Sequence, residues 1–353
     1  MYKILVAGDS FMNVDIFGDT VYKVIKELDP EVEIVKIQWE FEGYQLGRMM
    51  GIKREIREFA GKPEELAKLV KDIDALFIHV APVTKQVLES GKKLKVVACA
   101  RGGPVNIDID AATMLGIPVI NAPGRNAEAV AEYVIGLIIA YTRNIIKSHI
   151  LLKKGTWSED FYHYDKCGDE LEGKVIGLIG FGRVGRKLVE RLKGFNVRII
   201  AYDPYVSKEQ MASYNVESVD LNTLMKESDI ISVHARLTPE THHLISEKEF
   251  KIAKRTALFI NTARGEIVDE NALIKALKEG WIAGAALDVF ENEPLPKDHP
   301  LLQLDNVILT PHIAGASRTT VIRTAKMIAE DVKRVLAGEK PKNCINPEVF
   351  TRH

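Results

Sequence analysis

Short apolar runs of strand length recur along this chain, and longer stretches with helical spacing separate them. KILVAG (3–8), VEIVKI (32–37), ALFIHV (75–80), LKVVACA (94–100) and IPVIN (117–121) form a first series, interleaved with helical patterns such as PEELAKLVKDI. VIGLIG (175–180), VRIIAYD (197–203), DIISVH (229–234), ALFINTA (257–263), AGAALDVF (283–290) and VILT (307–310) form a second. Strands alternating with helices in this way predict two α/β blocks with parallel sheets. Between the blocks, Asn126 reads as the N-cap of a long helix running to about Lys153, with Val130, Val134, Leu137, Ile138 and Tyr141 on one face. A last helix, from about Arg318 to Ala337, carries Val321, Ala325, Ile328, Val332 and Leu336 at helical spacing and is read as returning to the first block. The expected domains are therefore 1–122 plus 316–353, and 123–315.

Composition narrows the class. With 353 residues and 46% hydrophobic content the chain can bury a large core, and such a length usually divides into two domains. A formal charge of −1 gives no basic field for nucleic acid or an anionic membrane surface. The cysteines Cys99, Cys167 and Cys344 have neither metal-ligand spacing nor a disulfide framework, which suits a reducing cytosol. The N-terminus enters a strand directly, without a leader pattern, and no stretch approaches membrane-spanning length without charges. A cytoplasmic protein is expected, with no resident metal.

The chemistry begins at residue 180. Gly180, Gly182 and Gly185 form G-x-G-x-x-G where an apolar strand turns into a helix. Gly180 permits the tight turn, Gly182 lets backbone amides approach a pyrophosphate, and Gly185 lets the helix pack close to the sheet. Arg183 and Val184 lie inside this turn, where the helix N-terminus favours an anion. Asp203 closes the next strand, placed for adenosine ribose hydroxyls; its charge would repel a 2′-phosphate, which favours NAD over NADP. His234 ends a further strand and is a candidate for the adenosine side, with Thr262, Ala263 and Gly315 as further cofactor contacts.

Ligands of open parallel sheets bind outside the carboxyl ends of the strands. Arg264, Asp288 and His312 all follow strands of the second block and converge on that rim. An arginine holds a carboxylate bidentately without losing its charge, and a histidine accepts or donates a proton near neutrality. Glu293 would orient the imidazole and stabilise its protonated form. Asp288 is assigned to the nicotinamide carboxamide. Taken singly, Glu293 before a proline reads as a solvated turn residue and Arg264 equally well as a surface ion pair. The adjacent His242 and His243 read as solvated residues of a polar turn.

Over essentially its whole length the chain resembles the D-isomer-specific 2-hydroxyacid dehydrogenases, the family that includes D-3-phosphoglycerate dehydrogenase, glyoxylate/hydroxypyruvate reductase and D-lactate dehydrogenase. The matching stretches are NAPGRNAEAVAEYVIGLI, GTW at 155–157, ELEGKVIGLIGFGRVG, LTPETHHLI, INTARGEIVDE, AALDVFENEP and LTPHIAG. The resemblance implies two Rossmann-like domains, one a flavodoxin-like substrate domain and one binding NAD, with the active site in the cleft between them, usually as a dimer joined through the cofactor domains. It makes Arg264, Glu293 and His312 the catalytic residues and Asp288 the nicotinamide contact. The implied activity is reversible hydride transfer between a D-2-hydroxy acid and NAD, on 3-phosphoglycerate or a glycerate/glyoxylate-type substrate. A nucleotide-sensing corepressor on the same fold is the alternative.

Some positions depart from the family. The substrate loop commonly reads R-A-G-x-G-x-D-N, whereas here it is CARGGPVNIDID; Arg101, Gly102 and Gly103 remain the candidate carboxylate cradle. HVAPVT (79–84) lacks the arginine that phosphoglycerate dehydrogenases place after the third strand, which weighs against a phosphorylated substrate. Arg48, Lys53, Arg54 and Arg57 would offer positive charge, although a solvated helix face explains them as well. Arg236 stands where many relatives carry proline, and with the sequence ending at residue 353 an added C-terminal regulatory domain is not expected.

Overall fold

A computed structural model describes residues 1–39, 56 and 59–351; the four basic residues between 48 and 57 lie outside these. The chain forms two compact units, Met1–Arg125 with Ala316–His353, and Asn126–Gly315.

In the first unit, β1 (Lys3–Gly8), β2 (Glu33–Gln38), β3 (Ala75–Ile78), β4 (Val96–Cys99) and β5 (Val119–Ile120) form a sheet in the order β2-β1-β3-β4-β5. Every pairing is parallel, the flavodoxin-like arrangement. Successive side chains of a strand point to opposite faces, so β1 feeds two cores. Ile4 and Val6 join Phe17 and Phe77 on one side, while Leu5 and Ala7 join Leu66, Leu76 and Val87 on the other. The C-terminal helix, Arg318–Leu336, buries Val321, Ala325, Ile328 and Val332 in the first of these cores, as its spacing requires.

The second unit holds β6 (Val175–Ile179), β7 (Arg198–Tyr202), β8 (Glu217–Ser218), β9 (Ile230–Val233), β10 (Leu258–Asn261), β11 (Gly284–Leu287) and β12 (Val307–Leu309). Their order is β12-β11-β10-β9-β6-β7-β8, and all of them are parallel. The edge strand β8 has no apolar run to announce it, because its two residues are polar and lie at the rim.

The helix expected from Asn126 to Lys153 is instead two helices, Ala127–Thr142 and Ile145–Lys153, bent by 64°. The first buries Val130, Val134, Leu137 and Ile138; the second buries nothing, so no apolar stripe holds it to the same axis. Asn144 turns the chain in the left-handed region at φ 54, and its side-chain amide donates to Lys166 O at 3.1 Å. Asn126 stands before the first helix but makes no side-chain capping bond. Among the described residues no single helix is long and apolar enough to cross a membrane.

Candidate active site

The glycine turn is built as its spacing demands. Gly180 has φ +97, and a Cβ there would lie 2.7 Å from the amide nitrogen of Ala235. A Cβ at Gly185 would lie 3.0 Å from Gly180 O, so this glycine brings the helix Arg183–Leu192 close to the turn. At Gly182, the residue before that helix, a Cβ would meet nothing within 4 Å. Arg183 opens the helix and Val184 follows it. Asp203, just beyond β7, accepts the Phe181 amide at 2.8 Å and the Tyr205 amide at 2.9 Å. The acid at the strand end therefore also fixes the turn.

Two polar atoms at neighbouring strand ends are buried without a partner: His234 Nε2 after β9 and Thr262 Oγ1 after β10. Burial drives the His234 pKa down to about 4, so the imidazole is neutral. Buried polar groups normally find a hydrogen bond, and orphans at the carboxyl edge of a doubly wound sheet mark a ligand site. The open space at Gly182 and these orphans fit a bound dinucleotide. Ala263 follows Thr262 and donates its amide to Asn261 Oδ1 at 3.0 Å; at Gly315 a Cβ would come 2.5 Å from Asn126 Nδ2.

Further along the same edge, His312 Nδ1 and Glu293 Oε2 are 2.7 Å apart, with 34% and 22% of their side chains exposed. Glu293 Oε1 accepts the Phe290 amide at 3.1 Å. Burial pushes the Glu293 carboxyl up, but the His312 bond and charge, the Phe290 amide and the Arg264 charge outweigh it and hold the group below its ordinary range. The ionised carboxylate accepts a hydrogen bond from Nδ1–H, and the Arg264 charge acts on the same carboxylate, which puts the three side chains in one neighbourhood. Arg264 itself is exposed; Asn261 Nδ2 donates to its carbonyl at 2.8 Å, and its Nη1 donates to Ala263 O at 2.6 Å. Gly265 sets the next turn directly on the Phe290–Glu291 peptide, where a Cβ would lie 2.0 Å from Phe290 C.

Asp288 does more for the protein's own loop than its sequence position suggested. Fully buried, its carboxylate accepts Thr310 Oγ1 at 2.6 Å and the amides of Ile313 at 2.9 Å and Ala314 at 2.7 Å, while its carbonyl accepts the His312 amide at 2.8 Å. Those bonds hold His312 at φ +55, a left-handed conformation uncommon for residues other than glycine. Thr310 also bonds Tyr133, whose phenol burial pushes up.

Arg101, Gly102 and Gly103 follow β4 in the other unit. Ala122 N donates to Arg101 O at 2.8 Å, Asn121 Nδ2 donates to Gly102 O at 2.7 Å, and a Cβ at Gly103 would meet nothing within 4 Å. At the same sheet edge lies a pair the sequence did not reveal, His79 Nδ1 and Asp9 Oδ2 at 2.7 Å, 4% and 1% exposed. Burial raises the Asp9 carboxyl, but His79 and the Met12 and Phe11 amides reverse this, and the group lies below its ordinary range. Burial lowers His79 against the opposing pull of the Asp9 carboxylate, and the Arg125 and Arg101 charges add to the lowering. Beneath it, burial pushes the Cys99 thiol up to about 12, which makes it inert. The two members of the pair are 70 residues apart, so only the topology joins them.

A dinucleotide turn on a doubly wound sheet, with an arginine and a carboxylate-held histidine on the same edge, defines a nicotinamide-linked oxidoreductase. Residues 135–314 match the family model for the NAD binding domain of D-isomer specific 2-hydroxyacid dehydrogenases. The chain is 44% identical over 301 residues to a glyoxylate reductase of Thermofilum pendens, covering 85% of this chain and 89% of that one. It is 46% identical over 285 residues to a D-3-phosphoglycerate dehydrogenase of Methanocaldococcus jannaschii, covering 80% of this chain but 53% of that one. The NAD-complexed D-isomer specific 2-hydroxyacid dehydrogenase of Lactobacillus delbrueckii ssp. bulgaricus superposes with a TM-score of 0.78 at 25% identity, over 98% of this chain and 100% of that one. The chain belongs to the D-isomer-specific 2-hydroxyacid dehydrogenase family and is an NAD-dependent oxidoreductase of the CH–OH group.

Proposed function

We propose that the enzyme reduces a short, unphosphorylated 2-oxo acid to its D-2-hydroxy acid, with Arg264, Glu293 and His312 as the catalytic residues. What carries this reading is the His312–Glu293 pair with the Arg264 charge beside it. Arg264 holds the substrate carboxylate through its planar fork and polarises the neighbouring carbonyl. His312, with Nδ1 committed to Glu293, presents Nε2 to the carbonyl oxygen and protonates it; in the oxidative direction the same atom takes the hydroxyl proton. Glu293, held ionised, stabilises the imidazolium and fixes the ring. Bound NADH supplies the hydride.

Gly180, Gly182, Arg183, Val184 and Gly185 would cradle the pyrophosphate, Asp203 the adenosine ribose, and His234, Thr262, Ala263, Asp288 and Gly315 the remainder of the dinucleotide. The unit formed by Met1–Arg125 and Ala316–His353 would be the substrate domain, with Arg101, Gly102 and Gly103 as the loop that meets the carboxylate. The buried Asp9 carboxylate at that sheet edge argues against a phosphate dianion there, and several relatives, including that of Thermofilum pendens, are named glyoxylate reductases. Glyoxylate and hydroxypyruvate are the first candidates. The relatives named D-3-phosphoglycerate dehydrogenase support phosphohydroxypyruvate as the second.

Exposed Ile145, Ile150, Leu152, Trp157, Tyr162 and Tyr164 support a homodimer formed through this unit, since monomers seldom leave so much apolar surface in water. Free cysteines suit a reducing cytoplasm. NADH consumption by the purified enzyme with glyoxylate, hydroxypyruvate and phosphohydroxypyruvate tests the substrate reading. A preference for the phosphorylated acid would overturn it.

A further inference from the structure

His243, which the sequence reads as a solvated residue of a polar turn, and Glu291 lie on either side of the turn that carries Arg264. His243 Nε2 and Glu291 Oε1 are 2.8 Å apart, with 40% and 24% of the side chains exposed. The His243 backbone N–H donates to Glu266 O at 2.9 Å, two residues beyond Arg264, and His243 adopts φ +51 to do so. The bonds from Ile245 N to Ile267 O at 3.2 Å and from Asp269 N to Ile245 O at 2.9 Å continue this seam. Glu291 stands two residues before Glu293, in the peptide on which Gly265 rests. Its Oε1 also accepts the Glu270 amide at 3.2 Å, while Glu270 Oε2 accepts the Glu291 amide at 3.3 Å and Glu270 Oε1 meets His299 Nε2 at 3.1 Å.

We propose that the His243–Glu291 hydrogen bond is a positioning brace that fixes the distance between Arg264 and the Glu293–His312 pair. One histidine grips the Arg264 turn through its backbone N–H and the Glu293 segment through its ring. The Arg264 side chain is exposed, so the placement of its fork depends on the backbone beneath it. A partly exposed side-chain pair of this kind contributes little to stability. Its expected effect is therefore on the alignment of substrate between cation and proton donor, where small displacements are costly.

The brace rests on the assignment of Arg264, and a mutant cycle separates the two. Glu291→Ala is expected to lower kcat/KM for the 2-oxo acid about tenfold, with the affinity for NADH and the melting temperature nearly unchanged. Glu291→Gln, which keeps an acceptor oxygen, should recover most of that loss. In an Arg264→Lys background, Glu291→Ala should cost little more, because the group it positions has already been removed. His243→Asn, which tolerates the left-handed backbone but is too short to reach Glu291, should reproduce Glu291→Ala and serves if that variant folds poorly. Losses that multiply in full in the Arg264→Lys background, or wild-type kinetics for both single variants, would overturn the brace. An Arg264→Lys enzyme of normal efficiency would instead overturn the role given to Arg264.

Discussion

Gly265→Ala makes the sharpest demand on the site. The glycine has ordinary backbone angles, so the objection to alanine is spatial: its Cβ would lie 2.0 Å from Phe290 C, 2.1 Å from Phe290 O and 2.4 Å from Glu291 N. All three are main-chain atoms and cannot rotate away. Restoring ordinary contact at 3.4 Å requires the Arg264 turn and the Phe290–Glu293 segment to separate by more than an ångström. Overpacking of this kind costs about 1–3 kcal/mol of stability. The functional cost is the larger, since a misplacement of about 1 Å lowers catalysis by about 10²-fold. The assay is steady-state kcat/KM for the 2-oxo acid, beside thermal melting and NADH binding, because the glycine turn at β6 lies three strands from β11. A folded variant that binds NADH and turns over like the wild type would refute the claim that this contact sets the spacing of Arg264 and Glu293.

Three further outcomes follow from the same geometry. Asp203→Asn should raise the ratio of NADPH to NADH efficiency at least about fivefold, as expected from removing a charge a few ångströms from a phosphate; an unchanged ratio would remove Asp203 from the ribose site. His234 sits near 4 against 6.5 in the unfolded chain, so above pH 6.5 neither state binds the proton, and below it the unfolded state binds first. Stability should then fall between about pH 6.5 and 4 by about 3 kcal/mol through this group, and His234→Asn in the cofactor-free enzyme should flatten that part of the unfolding curve. Asp288→Asn leaves the Ile313 and Ala314 amides one acceptor short in a buried site, and should cost about 1–3 kcal/mol together with activity.

The inner strands were legible because parallel strands covered on both faces are continuous apolar runs, whereas the polar edge strand β8 carried no such signal. The dinucleotide turn was legible because backbone requirements leave glycines in a fixed spacing. Chain order placed Arg264 and His312 at the carboxyl edge and offered Glu293 as the partner of the imidazole, but spacing alone left surface readings open for Arg264 and Glu293, and the family resemblance was needed to choose them. What stayed hidden joins residues distant in sequence. His79 meets Asp9 through the crossover between β1 and β3, and His243 meets Glu291 across two α-helices and two strands. The three bonds that the Asp288 carboxylate accepts from the His312 loop had no signal in the sequence either. The break at Asn144 carried one signal, an asparagine able to adopt a left-handed turn where the apolar stripe ends.

The most direct test of the central claim is the turnover number of His312→Ala at saturating NADH and 2-oxo acid, measured beside its NADH affinity. A proton donor at this position predicts a fall of about 10² to 10⁴ with NADH binding intact. A rate close to that of the wild type would contradict the account.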